Sequence, residues 1–295
     1  MKVEEQRILC VGACHWDLIG RTRVRLSVGD DVAGRIERRP GGVALNVARG
    51  LVGHGQTVSL CSTVGDDAAG LALIQENETF GIDCTYVFRV KETKTDHYMA
   101  IEDDRGDLFA AIADVAALEE NSDAIVRQAE VALPSVHSVF LEANLSEPTL
   151  QRIADAAKRT GAEIVANPVS PSKSNRLRFF LSGEHTPILV TNLAEANAIL
   201  ESDFDTSRTA AKALSAQTCG MALVTNRAEH ATLATPSDVM SVLPPELQED
   251  LSVTGAGDAL LSGFLAARAR GYGPDAALKF ALSAAANHMK DSKKP

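Results

Sequence analysis

Near the C-terminal end of the chain, Thr254-Gly255-Ala256-Gly257-Asp258 sets a carboxylate directly behind two glycines. Glycines let the backbone turn tightly and bring successive N–H groups close to a ligand. Leu260, Leu261, Phe264 and Leu265 follow at helical spacing, so the turn opens a helix. The unpaired amides of a first helical turn, at the positive end of the helix dipole, favour an anion. A carboxylate there is placed to take a proton from a hydroxyl that attacks a phosphoryl group. Read alone, the stretch leaves a plainer role open: an acid near a helix N-terminus, worth about 0.3–1 kcal/mol to that helix. A second stretch, Gly41-Gly42-Val43-Ala44-Leu45-Asn46, also runs into a helix. Its glycines permit close approach of a flat or hydroxyl-rich ligand, and the Asn46 amide both donates to and accepts from sugar hydroxyls. A Gly-Gly turn followed by an ordinary polar residue is the structural alternative. No G-x-x-x-x-G-K-[ST] occurs in the chain, and Leu260 stands where a dinucleotide fingerprint needs its third glycine.

These groups need a frame. Short apolar runs of strand length are Ile8 to Ala13, Val58 to Val64, Val136 to Leu141, Glu163 to Ala166, Ile188 to Thr191 and Ala222 to Thr225. Their near-continuous apolar character suits parallel strands covered on both faces. Helical patterns lie between them at Val43 to His54, Ala68 to Thr79, Glu147 to Thr160, Ala194 to Glu201 and Ser207 to Ala216, with Gly81 and Gly161 as C-terminal stops. Such alternation predicts an α/β layer fold around a central, mostly parallel sheet. Two segments break it. Asp17 to Pro40 reads as strands joined by a turn, and Thr85 to Ala113 as a β-hairpin with Gly106 in its turn. We therefore expect residues 1–16, 41–84 and 114–295 to form the core, and 17–40 and 85–113 a small β-lid.

Composition narrows the function. The 295 residues are 45% hydrophobic and carry a formal net charge of −10, with no clustered basic face of the kind that nucleic acid requires. No apolar stretch reaches the roughly 18 residues of a membrane span. The five cysteines lack a C-x-x-C pair and read as reduced thiols, which predicts a cytoplasmic protein. The seven histidines form no zinc-binding pattern.

Taken together, the motifs resemble the ribokinase-like, or PfkB-type, carbohydrate and nucleoside kinases. Gly41-Gly42 with Asn46 matches the N-terminal signature of that family, and Gly255-Ala256-Gly257-Asp258 its C-terminal one. Asp17 just after the first strand and Asn192-x-x-Glu195 after another agree, and the likeness runs from about Ile8 to about Asn287. The resemblance implies a three-layer α/β/α ribokinase-like fold and ATP with Mg²⁺ as cofactors. It implies Asp258 as base and the Gly255, Ala256 and Gly257 amides as an anion hole. Asp17, Gly41, Gly42 and Asn46 then face the acceptor sugar, and Asn192, Thr225, Thr254, Gly255, Gly257 and Asn287 the nucleotide. Asn192 and Glu195 order magnesium-bound water, although the same pair also fits a helix N-cap. Thr95, Tyr98 and Lys173, with Asn167-Pro168-Val169-Ser170, resemble the pseudouridine kinase branch, which phosphorylates the 5′-hydroxyl of a C-linked nucleoside. In that setting Thr95, Tyr98 and Lys173 bind substrate, and a homodimer through the lid is expected.

The chain departs from the family in three places. Ser252 replaces a common Asp, which leaves a K⁺ site open; Asn226 to His230 replaces a Gly-containing turn; and the chain stops soon after Asn287-His288. Two other functions follow from the same residues. One is a nucleoside- or nucleotide-binding protein of this fold with little turnover. The other is an NAD-linked dehydrogenase, disfavoured because no G-x-G-x-x-G follows the first strand.

Overall fold

A computed structural model describes residues 6–246 and 254–291. Ser252 lies outside the described residues. The strands, in chain order, are β1 (Ile8–Val11), β2 (His15–Thr22), β3 (Gly34–Gly41), β4 (Val58–Gly65), β5 (Asp83–Val90), β6 (His97–Glu102) and β7 (Leu108–Asp114). They continue as β8 (Ser138–Glu142), β9 (Glu163–Asn167), β10 (Ile188–Asn192), β11 (Met221–Thr225), β12 (Ala231–Ala234) and β13 (Val239–Val242).

Nine strands form one sheet in the order β13-β12-β11-β10-β9-β8-β1-β4-β5. Neighbours from β5 to β11 are parallel, and β12 and β13 add an antiparallel edge. Side-chain alternation along β1 explains the layering. Ile8 and Cys10 join a core with Leu45, Phe140 and Phe264, whereas Leu9 and Val11 join another with Leu141, Ile153 and Leu214. Helices Val43–Gly53, Ala256–Ala269 and Pro274–Asp291 cover the first face, and Ser122–Ala132, Glu147–Thr160 and Ser207–Thr218 the second. Two buried faces are why the strands read as nearly continuous apolar runs. Each fully buried Leu or Phe contributes roughly 1.5–3 kcal/mol.

Helix ends follow local chemistry. Asp67 caps the helix Ala68–Phe80 by accepting from the Gly70 N–H, and Gly81 ends it at φ 104°. Gly161, at φ 80°, ends the helix Glu147–Thr160, whose last turn carries Lys158 and Arg159. Glycine reaches that left-handed backbone without a Cβ clash.

The remaining strands form a second sheet, β3-β2-β6-β7, where the sequence leads us to expect the lid. The segment 85–113, expected there as a unit, is divided by the structure. Asp83–Val90 is β5 and pairs in parallel with β4 at the edge of the large sheet; only β6 and β7 reach the lid. The helix Ala68–Phe80 between β4 and β5 makes a strand–helix–strand crossover, which returns the chain beside the strand it left. Of the five free cysteines, Cys10, Cys14, Cys61 and Cys84 are buried and Cys219 is exposed. Among the described residues no helix is long and apolar enough to cross a membrane.

Candidate functional site

β1 and β8 are neighbours from which the strand order departs in opposite directions, β4 and β5 to one side and β9 to β11 to the other. The carboxyl ends of strands at such a reversal are where open α/β sheets form a crevice. β1 ends at Val11, from which the chain passes through Gly12 into β2 of the lid, and β3 returns through Gly41-Gly42 into the helix Val43–Gly53. A Cβ on Gly42 (φ 101°) would lie 2.3 Å from the Ala13 carbonyl oxygen, and one on Gly41 would lie 2.2 Å from Asp17 Oδ1. The left-handed backbone and the Ala13 main chain require glycine at 42, whereas the space beside Gly41 is filled by the Asp17 side chain.

The two glycine turns meet. Asn46 Nδ2 donates to Asp258 Oδ2 at 2.9 Å across 212 residues of sequence. A cavity of about 1310 Å³ opens beside them, lined by Asp17, Arg39, Asn46, Thr254, Gly255, Asp258 and His288 among others. Burial pushes the Asp258 carboxyl up to about 6 from 3.8, with Glu142 and Asp17 adding repulsion while the Asn46 amide and His288 oppose the rise. Such a carboxylate accepts a proton near neutrality more readily than an ordinary Asp.

The helix Ala256–Ala269 begins at Gly255, which has φ 79° and makes no side-chain cap. The site where a Gly257 Cβ would stand is open, with nothing within 4 Å. No side chain caps this first turn, and amides left unpaired at a helix start favour an anion. Gly255 itself is braced, since a Cβ there would come within 2.8 Å of His288 Nε2, which also lies 3.0 Å from the Thr254 carbonyl oxygen. Asn287, one residue earlier on the helix Pro274–Asp291, is exposed.

Asp17 lies 3.3 Å from His15 Nδ1 and 3.5 Å from Arg39 Nε. Tyr98 is its register partner on β6, and the Tyr98 ring centroid is 6.5 Å from that of His15. Lys173 donates to Asn144 Oδ1. The Asn144 N–H in turn donates to Glu142 Oε2 at 2.7 Å, which ties Lys173 to the β8 side of the crevice. Asn192 and Thr225 are register partners at the carboxyl ends of β10 and β11.

One expectation changes. Thr95 is fully buried; its hydroxyl donates to Asp67 Oδ1 at 2.6 Å and accepts from the Gly65 N–H at 3.1 Å. It ties the approach to the lid to the start of the helix Ala68–Phe80, so it does not face an acceptor. Asn192 and Glu195 form a reciprocal capping box, with Asn192 Oδ1 accepting from the Glu195 N–H and Glu195 Oε2 from the Asn192 N–H, each at 2.9 Å. Among the described residues no group of three or more His, Cys, Asp or Glu is placed to hold a metal. The Asn226–His230 turn is closed by the Asn226 side chain, which donates to Glu229 Oε2 at 2.5 Å.

Sequence reading missed Glu142, Arg39 and His288. Glu142 is completely buried, and its Oε1 accepts from the Ala13 N–H at 2.5 Å. Burial drives its pKa up, partly offset by the Ala13 and Asn144 amides and by Lys173. An acid closing the apolar run Val139–Leu141 was its only signal.

Fold and site together define a ribokinase-like α/β kinase. The profile of the pfkB family carbohydrate kinases matches residues 5–291, and the chain belongs to that family. Among curated relatives, a pseudouridine kinase of Escherichia coli (strain K12) is 26% identical over 196 residues, 66% of this chain and 61% of that protein's length. A Bacillus subtilis (strain 168) ribokinase is 25% identical over 285 residues, 95% of this chain and 92% of its own. A solved carbohydrate kinase from Agrobacterium tumefaciens superposes with a TM-score of 0.85 at 28% identity, covering 98% of this chain and 93% of its own.

Proposed function

We propose that this chain transfers the γ-phosphoryl group of ATP to the 5′-hydroxyl of a nucleoside, with pseudouridine as the acceptor. The observation that carries the reading is the Asn46–Asp258 hydrogen bond, formed beside an uncapped helix N-terminus and at the wall of an open cavity. Asp258 takes the proton of the acceptor hydroxyl. The Gly255, Ala256 and Gly257 amides receive the charge that develops on the transferred group, so catalysis rests on position and electrostatics. Asp17 and Asn46 hold the sugar, with Gly41 and Gly42 allowing its close approach and Tyr98 and Lys173 alongside. ATP approaches from the ends of β10 and β11, by Asn192, Thr225, Thr254 and Asn287, and the uncapped amides suit its phosphates. Magnesium bound with the nucleotide supplies charge neutralisation, and Asn192 and Glu195 orient its water shell. The name of the Escherichia coli relative supports pseudouridine, and that of the Bacillus relative supports ribose as the next candidate.

A cytoplasmic location and a homodimer through the lid belong to the same reading. The lid leaves Ile36 82%, Ile112 69% and Met99 46% exposed, apolar surface that a second copy would cover.

The test is phosphate transfer from Mg·ATP to pseudouridine, uridine and D-ribose, with Asp258→Asn as control. Turnover that falls about 10²–10⁴-fold in the variant supports a general base. Acceptor binding without turnover in the parent protein favours a binding protein of this fold, and activity retained in Asp258→Asn removes Asp258 from the chemistry.

A further inference from the structure

The lid turns one face of β2, β3 and β6 toward the cavity, and register arranges that face in three rows. Arg39, Asp17 and Tyr98 make the first row. Glu37, Ile19 and Ala100 make the second, and Arg35, Arg21 and Glu102 the third. Asp17, Ile19, Arg21, Arg35 and Glu102 all line the cavity that contains Asp258. Successive rows are two residues apart, about 7 Å, so the third lies about 13 Å from the first along the strands.

The third row is electrostatically unusual. Arg21 and Arg35 stand directly opposite one another in an antiparallel pair, where like charges repel. Arg21 is compensated, since its Nε donates to Glu102 Oε2 at 3.0 Å. Arg35 is exposed and, among the described residues, has no ion pair or side-chain hydrogen bond. Arginine presents five donors and no acceptor, in a planar fork that matches paired oxygen atoms. On the cavity wall the middle row places Ile19 beside the acidic Glu37, between the sugar end and this fork.

We infer that the third row of the lid, centred on Arg35 and supported by Arg21, is a specificity subsite for an oxygen-rich, hydrogen-bond-accepting group at the far end of the acceptor. The inference rests on the proposed reading that the acceptor's reacting hydroxyl lies at Asp258 with its sugar on the first row. A pentose alone is too short to reach the third row. A nucleoside laid along β2 reaches it with the edge of its base, and a sugar carrying a phosphate or carboxylate opposite the reacting hydroxyl reaches it with that anion. The anion presents paired oxygens, and the base edge presents a carbonyl oxygen. An amino edge presents donors to donors and is rejected.

The test compares kcat/KM for pseudouridine (carbonyl edge), cytidine (amino edge), ribose 1-phosphate (anion) and D-ribose, in the parent chain and in Arg35→Gln. The parent is expected to favour pseudouridine or ribose 1-phosphate over both cytidine and D-ribose, and which of the two leads identifies the source of the oxygens. Arg35→Gln is expected to cut that advantage about 10- to 100-fold, the effect of losing a charged hydrogen bond. Arg38→Gln, on the opposite lid face where Arg38 stacks on Trp16, should leave the advantage in place. Equal turnover of cytidine and pseudouridine with ribose 1-phosphate no better than D-ribose, or an advantage untouched by Arg35→Gln, overturns the inference. If no acceptor turns over, melting temperatures with the same four compounds decide. Stabilisation that depends on Arg35 keeps the subsite and removes the kinase reading, and stabilisation indifferent to Arg35, or none, removes the subsite.

Discussion

Replacing Asn46 by Ala should move the acid limb of the pH–rate profile upward. In the parent chain the Asn46 amide donates to Asp258 Oδ2 at 2.9 Å, a bond that favours the ionised carboxylate. Burial has already raised that carboxyl to about 6, with Glu142 and Asp17 contributing and only Asn46 and His288 opposing. A hydrogen bond to a charged group is worth about 1.5–3 kcal/mol, and about 1.4 kcal/mol corresponds to one pH unit. Loss of the amide should therefore carry the limb up by about one to two pH units. The sign follows from the role: a general base works only when ionised, so a harder ionisation removes activity from the acid side. Initial rates well below KM, from about pH 5 to pH 9, report the free enzyme and separate this displacement from weaker acceptor binding, which lowers the whole curve without moving it. A limb that stays near 6, or moves toward acid, refutes the electrostatic role assigned to the pair.

Three further outcomes follow from the same contacts. Asp258→Asn should stabilise the fold at neutral pH: the folded carboxyl, raised to about 6 from 3.8, costs stability as pH rises through that window. The gain should be on the order of 2 kcal/mol and vanish below about pH 4, as thermal melts at several pH values would register; a variant equally or less stable at neutral pH contradicts it. Thr95→Val should cost about 1–3 kcal/mol in urea unfolding, because the Gly65 amide loses its side-chain acceptor and the Asp67 carboxylate one of its donors. Its KM for acceptor should hold, and a selective rise in KM would return Thr95 to the substrate. Gly42→Ala forces a side chain to φ 101° and within 2.3 Å of the Ala13 oxygen, so it should destabilise by more than 2 kcal/mol, visible as a lower Tm; a change under 0.5 kcal/mol would show that the turn has slack.

Local chemistry made much of this protein legible in its sequence. Two buried faces write short, mostly apolar runs into β1, β4 and β8, helix stops write Gly81 and Gly161, and the turn at Gly255 writes a helix start. Each is set by a few neighbouring residues, so each survives reading without coordinates. Long-range placement did not survive in the same way. Thr85–Val90 has strand character in either sheet, and only pairing with β4 assigns it to the large one. Thr95 and Tyr98 look alike as polar strand residues, yet the fold buries the first against Asp67 and sets the second beside Asp17. Glu142 carries no motif, and its importance comes from facing Ala13 across β1 and β8. The rows of the lid exist only through the registers of β2 with β3 and β6, because a one-residue slip would turn Arg35 and Arg21 away from the cavity. Which side chains share a face across different strands is settled by tertiary pairing, and no local rule encodes it.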